Sequence, residues 1–66
     1  MISKKARERY VKVYMEKGLQ DVKFLAIASS FSLEELYLLL LEECGESEEL
    51  RDELKVWRKF YGKKDT

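Results

Sequence analysis

Sixty-six residues carrying 13 basic and 13 acidic side chains and no histidine make one small domain of zero formal charge. A chain this short buries only about 60% of the surface its unfolded form exposes, and its single cysteine, Cys44, makes no internal disulfide, so its stability must come from helix packing or self-association. The lack of histidine excludes a Cys/His zinc site, and the longest apolar run, Leu36 to Leu41, is six residues against the ~20 that cross a bilayer.

Ser3 is placed to cap a first helix over residues 4–17, which Gly18 closes. Within it Ala6, Tyr10, Val13 and Tyr14 share one face at helical spacing, while Lys5, Arg9 and Lys12 share the opposite one. Leu19 is expected to fold back onto Tyr14. Asp21 offers the N-cap oxygen for a second helix over residues 22–30, apolar on most sides, with Phe24, Ile27, Ala28 and Phe31 on one stripe. A helix of that kind is expected to be the central, most buried one. Ser32-Leu33-Glu34-Glu35 reads as a capping box that opens a third helix over residues 33–44, stopped by Gly45. Ser47 opens a fourth over residues 48–62, with Glu48 and Glu49 in its dipole-favoured first turn and Leu50, Leu54, Trp57 and Tyr61 along a packing seam. Period-two alternation occurs only around Val11 to Met15, and the links are short. The expected fold is all-α: a compact bundle of four short helices forming a single domain over residues 1–66.

The segment Ile27-Ala28-Ser29-Ser30-Phe31-Ser32-Leu33, followed by Leu38 and Leu41, resembles the helix-turn-helix of transcription regulators and transposases. Ala28 matches the small residue of the first helix, Phe31 the apolar residue three positions on, and Leu33 the apolar residue after the turn. The stretch Tyr10 to Leu19 is similar to the first helix of the three-helix version. The resemblance spans residues 6–44 and implies a tri-helical core with one helix added; Ser32 stands where the family carries its turn glycine. In that family the second helix of the pair enters the major groove. Here its outward residues are Glu34, Glu35, Leu38, Leu39, Glu42 and Glu43, with no lysine or arginine between Phe24 and Leu50. Four carboxylates repel a polyanion, so the resemblance bears on the fold and not on base reading.

The zero total hides segregation: residues 1–23 carry a net +4, residues 24–54 a net −8 and residues 55–66 a net +4. Either basic helices one and four pack beside acidic helix three and screen it, or both ends meet and form a basic patch with its own field. The candidates for a phosphate-tracking stripe are Lys4, Lys5, Arg9 and Lys12 on helix one and Arg51, Lys55 and Arg58 on helix four. Lysine and glutamate supply 19 of the 66 residues, and asparagine and proline are missing, which is the direction in which thermophile compositions drift.

On a helical wheel Leu33, Leu36, Tyr37, Leu40 and Cys44 make the core stripe of helix three, leaving Leu38 and Leu39 outside it among Glu34, Glu35, Glu42 and Glu43. Either helix four covers that side, or it is a protein-binding face, apolar in the middle and acidic at the rim. Two leucines from each chain of a dimer yield about 6–12 kcal/mol on burial, against an association cost of roughly 4–15 kcal/mol. A firm dimer therefore needs further apolar residues, and Val11, Met15, Val56 and Phe60 are the spare ones.

Chemistry is sparse. Cys44 lies on an apolar stripe with no base in view. The adjacent glutamate pairs point about 100° apart on a helix, and Glu48/Asp52 and Glu49/Glu53 read as solvated surface. The sequence points to a non-enzymatic interaction module (a regulator, adaptor or inhibitor) that binds a protein partner, or a second copy, through helix three. The alternative is a small DNA-binding regulator that contacts phosphates through helices one and four. No cofactor, metal, membrane or small-molecule substrate is expected. The start of the chain has no signal-peptide pattern, and a lone thiol suits a reducing cytoplasm.

Overall fold

The computed structural model describes residues 3–61. Four helices follow in order: α1 (Lys4–Lys17), α2 (Leu19–Ala28), α3 (Leu33–Cys44) and α4 (Glu48–Tyr61), with no strand among the described residues. The all-α bundle expected from the sequence is what forms. The last position predicted for helix four, residue 62, lies outside the described residues.

Helix ends explain where boundaries agree and where they move. The Ala6 N–H donates to Ser3 Oγ at 3.2 Å, and the Leu50 N–H donates to Ser47 Oγ at 3.4 Å, so both predicted caps are made. Gly18 closes α1, its N–H donating to the Tyr14 carbonyl at 3.0 Å. Its φ of 98° and ψ of 178° lie in a region that is essentially glycine-only. That glycine is also the N-terminal boundary of α2, so α2 begins at Leu19, ahead of the predicted start at Val22. Asp21 is not the N-cap; it sits in the first turn, where the helix dipole still favours its charge.

α2 stops at Ala28 rather than at Ser30. The Phe31 N–H donates to the Ala26 carbonyl at 2.8 Å and the Ser30 N–H to the Ile27 carbonyl at 3.0 Å. These are the two bonds of a Schellman stop, with the left-handed position at Ser30, φ 59°. The turn's positive-φ residue is therefore Ser30, and Ser32 is extended at φ −61°, ψ 132°. The predicted capping box does not form: the Ser32 hydroxyl accepts no hydrogen bond from the first turn of α3. Ser32 and Glu35 are both exposed, where a side-chain cap competes with solvent for the free amides of the first turn.

α3 is the central helix: α1, α2 and α4 all pack on it, α1 also packs on α2, and α4 packs on α3 alone. The buried core is Tyr10, Leu19, Val22, Ala26, Leu36, Tyr37, Leu39, Leu40, Leu50 and Leu54. This overturns the expectation that helix two is the most buried. A helix apolar all round gives no single side to choose by period, and neighbours decide. α2 turns its smaller residues, Val22 and Ala26, inward, which lets α1 and α3 approach closely, and turns Phe24, Ile27 and Ala28 to solvent. Phe31 remains half-buried and stacks on Tyr10 with ring centroids 5.1 Å apart. Along α4 the seam runs from buried Leu50 and Leu54 to half-buried Trp57, but Tyr61 is exposed. Arg58 already reaches Glu34 in the first turn of α3, so the next turn of α4 overhangs the end of its neighbour.

The charge segregation resolves into interhelix pairs. Arg7 of α1 bonds Glu42 at 3.2 Å and also Glu43, both on α3, and Arg58 of α4 bonds Glu34 of α3 at 2.9 Å. Basic helices one and four thus flank acidic helix three and screen it. Arg51 closes the α3–α4 link by gripping both carboxylate oxygens of Glu46 at 2.8 Å, which holds the Glu46 carboxyl below the usual carboxylate range.

Candidate functional site

The leucine/glutamate face expected on α3 is only partly available. Leu39 is 4% exposed and belongs to the core, because α1 covers the edge of α3 lying about 100° from Leu40. Leu38 is 43% exposed and stands alone as an apolar group there. Of the carboxylates, Glu34 is engaged by Arg58, and Glu42 and Glu43 by Arg7. Glu35 remains exposed, beside Leu38 and Leu39 in a shallow cleft that Arg7, Phe31 and Glu42 complete. A single leucine beside neutralised carboxylates does not make an apolar face.

The larger exposed apolar area lies elsewhere. Phe24 and Ile27 on α2 are 62% and 57% exposed, and Val56, Phe60 and Tyr61 on α4 are 51%, 66% and 70% exposed. One ion pair brings the two groups together: Lys23 Nζ lies 3.2 Å from Glu53 Oε1. Phe24 follows Lys23 directly and Ile27 is one turn beyond it; Val56 and Phe60 are one and two turns beyond Glu53. The helix directions match. α3 and α4 are antiparallel, since Arg58 meets Glu34 and Glu53 meets Tyr37. The end of α2 leads through residues 29–32 into the start of α3, so Ile27 and Phe60 lie at the same end of the bundle.

The Lys23–Glu53 pair is anchored from below. The buried Tyr37 hydroxyl donates to Glu53 Oε1 at 3.4 Å, linking α3 to α4 and, through Lys23, to α2. Burial, and then the Glu53 charge, push the Tyr37 hydroxyl up to about 12. The apolar strip therefore has a fixed, internally neutralised seam instead of two independently moving helices. Trp57, half-buried against the core and tilted against Tyr61 with centroids 5.4 Å apart, holds the inner side of α4. The sequence marks Val56 and Phe60 as spare but puts Phe24 and Ile27 on one stripe of a helix expected to be the most buried. The signal that finds them is the competing stripe Leu19, Val22 and Ala26, equally periodic and made of smaller residues.

The basic candidates divide. Lys4, Lys5, Arg9 and Lys12 on α1 are exposed, with no carboxylate within ion-pair distance among the described residues. On α4, Arg51 and Arg58 are held by Glu46 and Glu34, leaving Lys55 as the unpaired member of that stripe among the described residues. α3 lies between the two basic helices, which make no direct packing contact. Lys5 and Arg9 line an open groove of about 780 Å³ together with the apolar Ala6, Tyr10, Leu25 and Phe31 and the carboxylate of Glu35. Cys44 is half-buried against the core, and burial, then Glu43, raises its thiol above the ordinary value.

No helix among the described residues is long and apolar enough to cross a membrane. Comparison with known proteins gives no matching family model, no matching curated protein and no matching solved structure.

Proposed function

We propose that the protein is a non-enzymatic helical interaction module, a regulator, adaptor or inhibitor that binds another protein chain through the apolar strip of α2 and α4. The observation that carries this reading is the alignment of exposed Phe24 and Ile27 with exposed Val56 and Phe60 across the Lys23–Glu53 pair. Large apolar side chains gathered on one surface are the usual mark of a protein-binding site. The one ion pair inside the strip, Lys23–Glu53, is satisfied within the chain and anchored by Tyr37, so it brings no unpaired charge into the contact. The contact moves away from the α3 face because Leu39 serves the core and the carboxylates around it serve Arg7 and Arg58. Photo-crosslinking tests this: a benzophenone side chain is placed at position 24, 60 or 38 of the full chain in cells. Protein adducts are expected from positions 24 and 60. Adducts from position 38 alone, or from none of the three, overturn the reading.

A second reading, phosphate-tracking contact with DNA, is favoured by Lys4, Lys5, Arg9 and Lys12 of α1, which are exposed and make no ion pair among the described residues, though not by α4. It predicts binding to random-sequence duplex that weakens steeply between ~50 and ~200 mM salt and is lost in Lys5→Glu with Arg9→Glu. Binding that survives that double reversal rejects it.

A further inference from the structure

We infer that the chain covering the α2/α4 strip is a second copy of this protein, paired across a two-fold axis that sets the two α4 helices antiparallel near Val56; this rests on the strip being the interaction surface. The outer face of α4 is polarised along its length. Its first half presents Glu49 and Asp52, its second half Lys59, and the apolar Val56 and Phe60 lie on the same face. Among the described residues Glu49, Asp52 and Lys59 make no ion pair within the chain. Such a helix is complementary to itself only when reversed. Antiparallel pairing sets Asp52 of one copy across from Lys59 of the other, twice by symmetry, whereas parallel pairing sets acid on acid and base on base. In antiparallel helix pairs each flank meets the same flank of its partner, and Asp52 and Lys59 lie a whole two turns apart on one flank. The other flank carries Glu53, with its seam to Lys23, and so brings Phe24 and Ile27 of both copies to the edges of the contact.

The area agrees with a reversible dimer. Taking about 150–250 Å² for a whole aromatic side chain and roughly half that for an aliphatic one, the exposed fractions of Phe24, Ile27, Val56 and Phe60 leave on the order of 350 Å² per chain. Two copies bury about 700 Å² of apolar side chain, the size of a weak, transient interface. The chain is short of interior surface and has no disulfide, so self-pairing also supplies burial that the monomer lacks.

Sedimentation equilibrium of the purified full chain decides it, with helix content followed by circular dichroism. The wild type is expected to dimerise reversibly in the micromolar range. Asp52→Lys is expected to weaken the dimer roughly tenfold by turning two attractions into repulsions. Asp52→Lys combined with Lys59→Asp is expected to return it to within about threefold of the wild type, and Ile27→Ser with Phe60→Ser to leave a folded monomer. A wild type that stays monomeric at millimolar concentration overturns the second-copy inference, and so does a double charge swap that fails to rescue. Crosslinks from positions 24 and 60 to a different protein, alongside a monomeric wild type, reject self-pairing and leave the interaction surface standing; a strip that neither crosslinks nor dimerises rejects both.

Discussion

Replacing Tyr37 by phenylalanine removes one oxygen from the centre of the bundle and should change how stability depends on pH. The Tyr37 ring is 1% exposed, and its hydroxyl donates to Glu53, the carboxylate that also holds Lys23. Near neutrality the substitution costs about 0.5–1.5 kcal/mol, the net value of one hydrogen bond. Above pH 10 the wild type acquires a liability that the variant does not share. The folded-state value of about 12 lies above the ordinary 10.0, so the folded chain keeps a proton that the unfolded chain releases. That contribution is whole below pH 10 and disappears as pH rises through 12. The loss is about 1.3 kcal/mol by pH 11 and about 3 kcal/mol once both states are ionised, at 1.36 kcal/mol per unit. Urea unfolding of both proteins between pH 7 and pH 12 gives the difference directly and cancels the titration of the lysines. The gap between wild type and Tyr37→Phe should narrow above pH 10 and then reverse. A gap that stays constant across that range refutes the buried, Glu53-coupled hydroxyl.

Three further substitutions test the fold itself. Ser30→Gly should stabilise the chain by about 0.5–1 kcal/mol in thermal or urea unfolding, because Ser30 holds φ 59° at the Schellman stop and glycine removes the left-handed penalty at some cost in entropy; an equal destabilisation contradicts that turn geometry. Gly18→Ala should cost about 1–3 kcal/mol through backbone strain alone, since an added Cβ at Gly18 meets no atom within 4 Å; a neutral result means the α1–α2 junction is not in this conformation. Leu39→Ala should cost about 2–5 kcal/mol while Leu38→Ala stays within roughly 1 kcal/mol, as measured by urea midpoints, and equal costs would contradict the burial of Leu39.

What the sequence made legible follows local chemistry. Ser3, Ser47, Gly18 and Gly45 act within a few residues of themselves, and the ends they mark came out where the residues place them. The charge segregation was legible but its use was not: the sequence left open whether helices one and four screen helix three or share a basic patch, and the pairs of Arg7 with Glu42 and Glu43 and of Arg58 with Glu34 come from how the helices pack. The side of α2 that faces inward was not legible. Both of its stripes are apolar, and the choice depends on the one-residue junction at Gly18 and on how closely α1 and α3 approach Val22 and Ala26. Leu39 was misplaced for a related reason: a helix with neighbours on three sides buries more than one stripe, and the number of neighbours is set by tertiary packing. The same two effects hid half of the candidate site. Val56 and Phe60 showed as surplus on a strongly amphipathic helix, whereas Phe24 and Ile27 read as core.

The most direct test of the α2/α4 strip as the surface that takes a second copy is the amide spectrum of isotope-labelled protein recorded by nuclear magnetic resonance from about 10 μM to 1 mM, a range that spans the weak association expected of a minimal interface. Shifts that move with concentration should cluster at Phe24, Ile27, Val56, Lys59 and Phe60. Concentration-independent spectra, or shifts gathered instead at Glu35, Leu38 and Glu42, would contradict it.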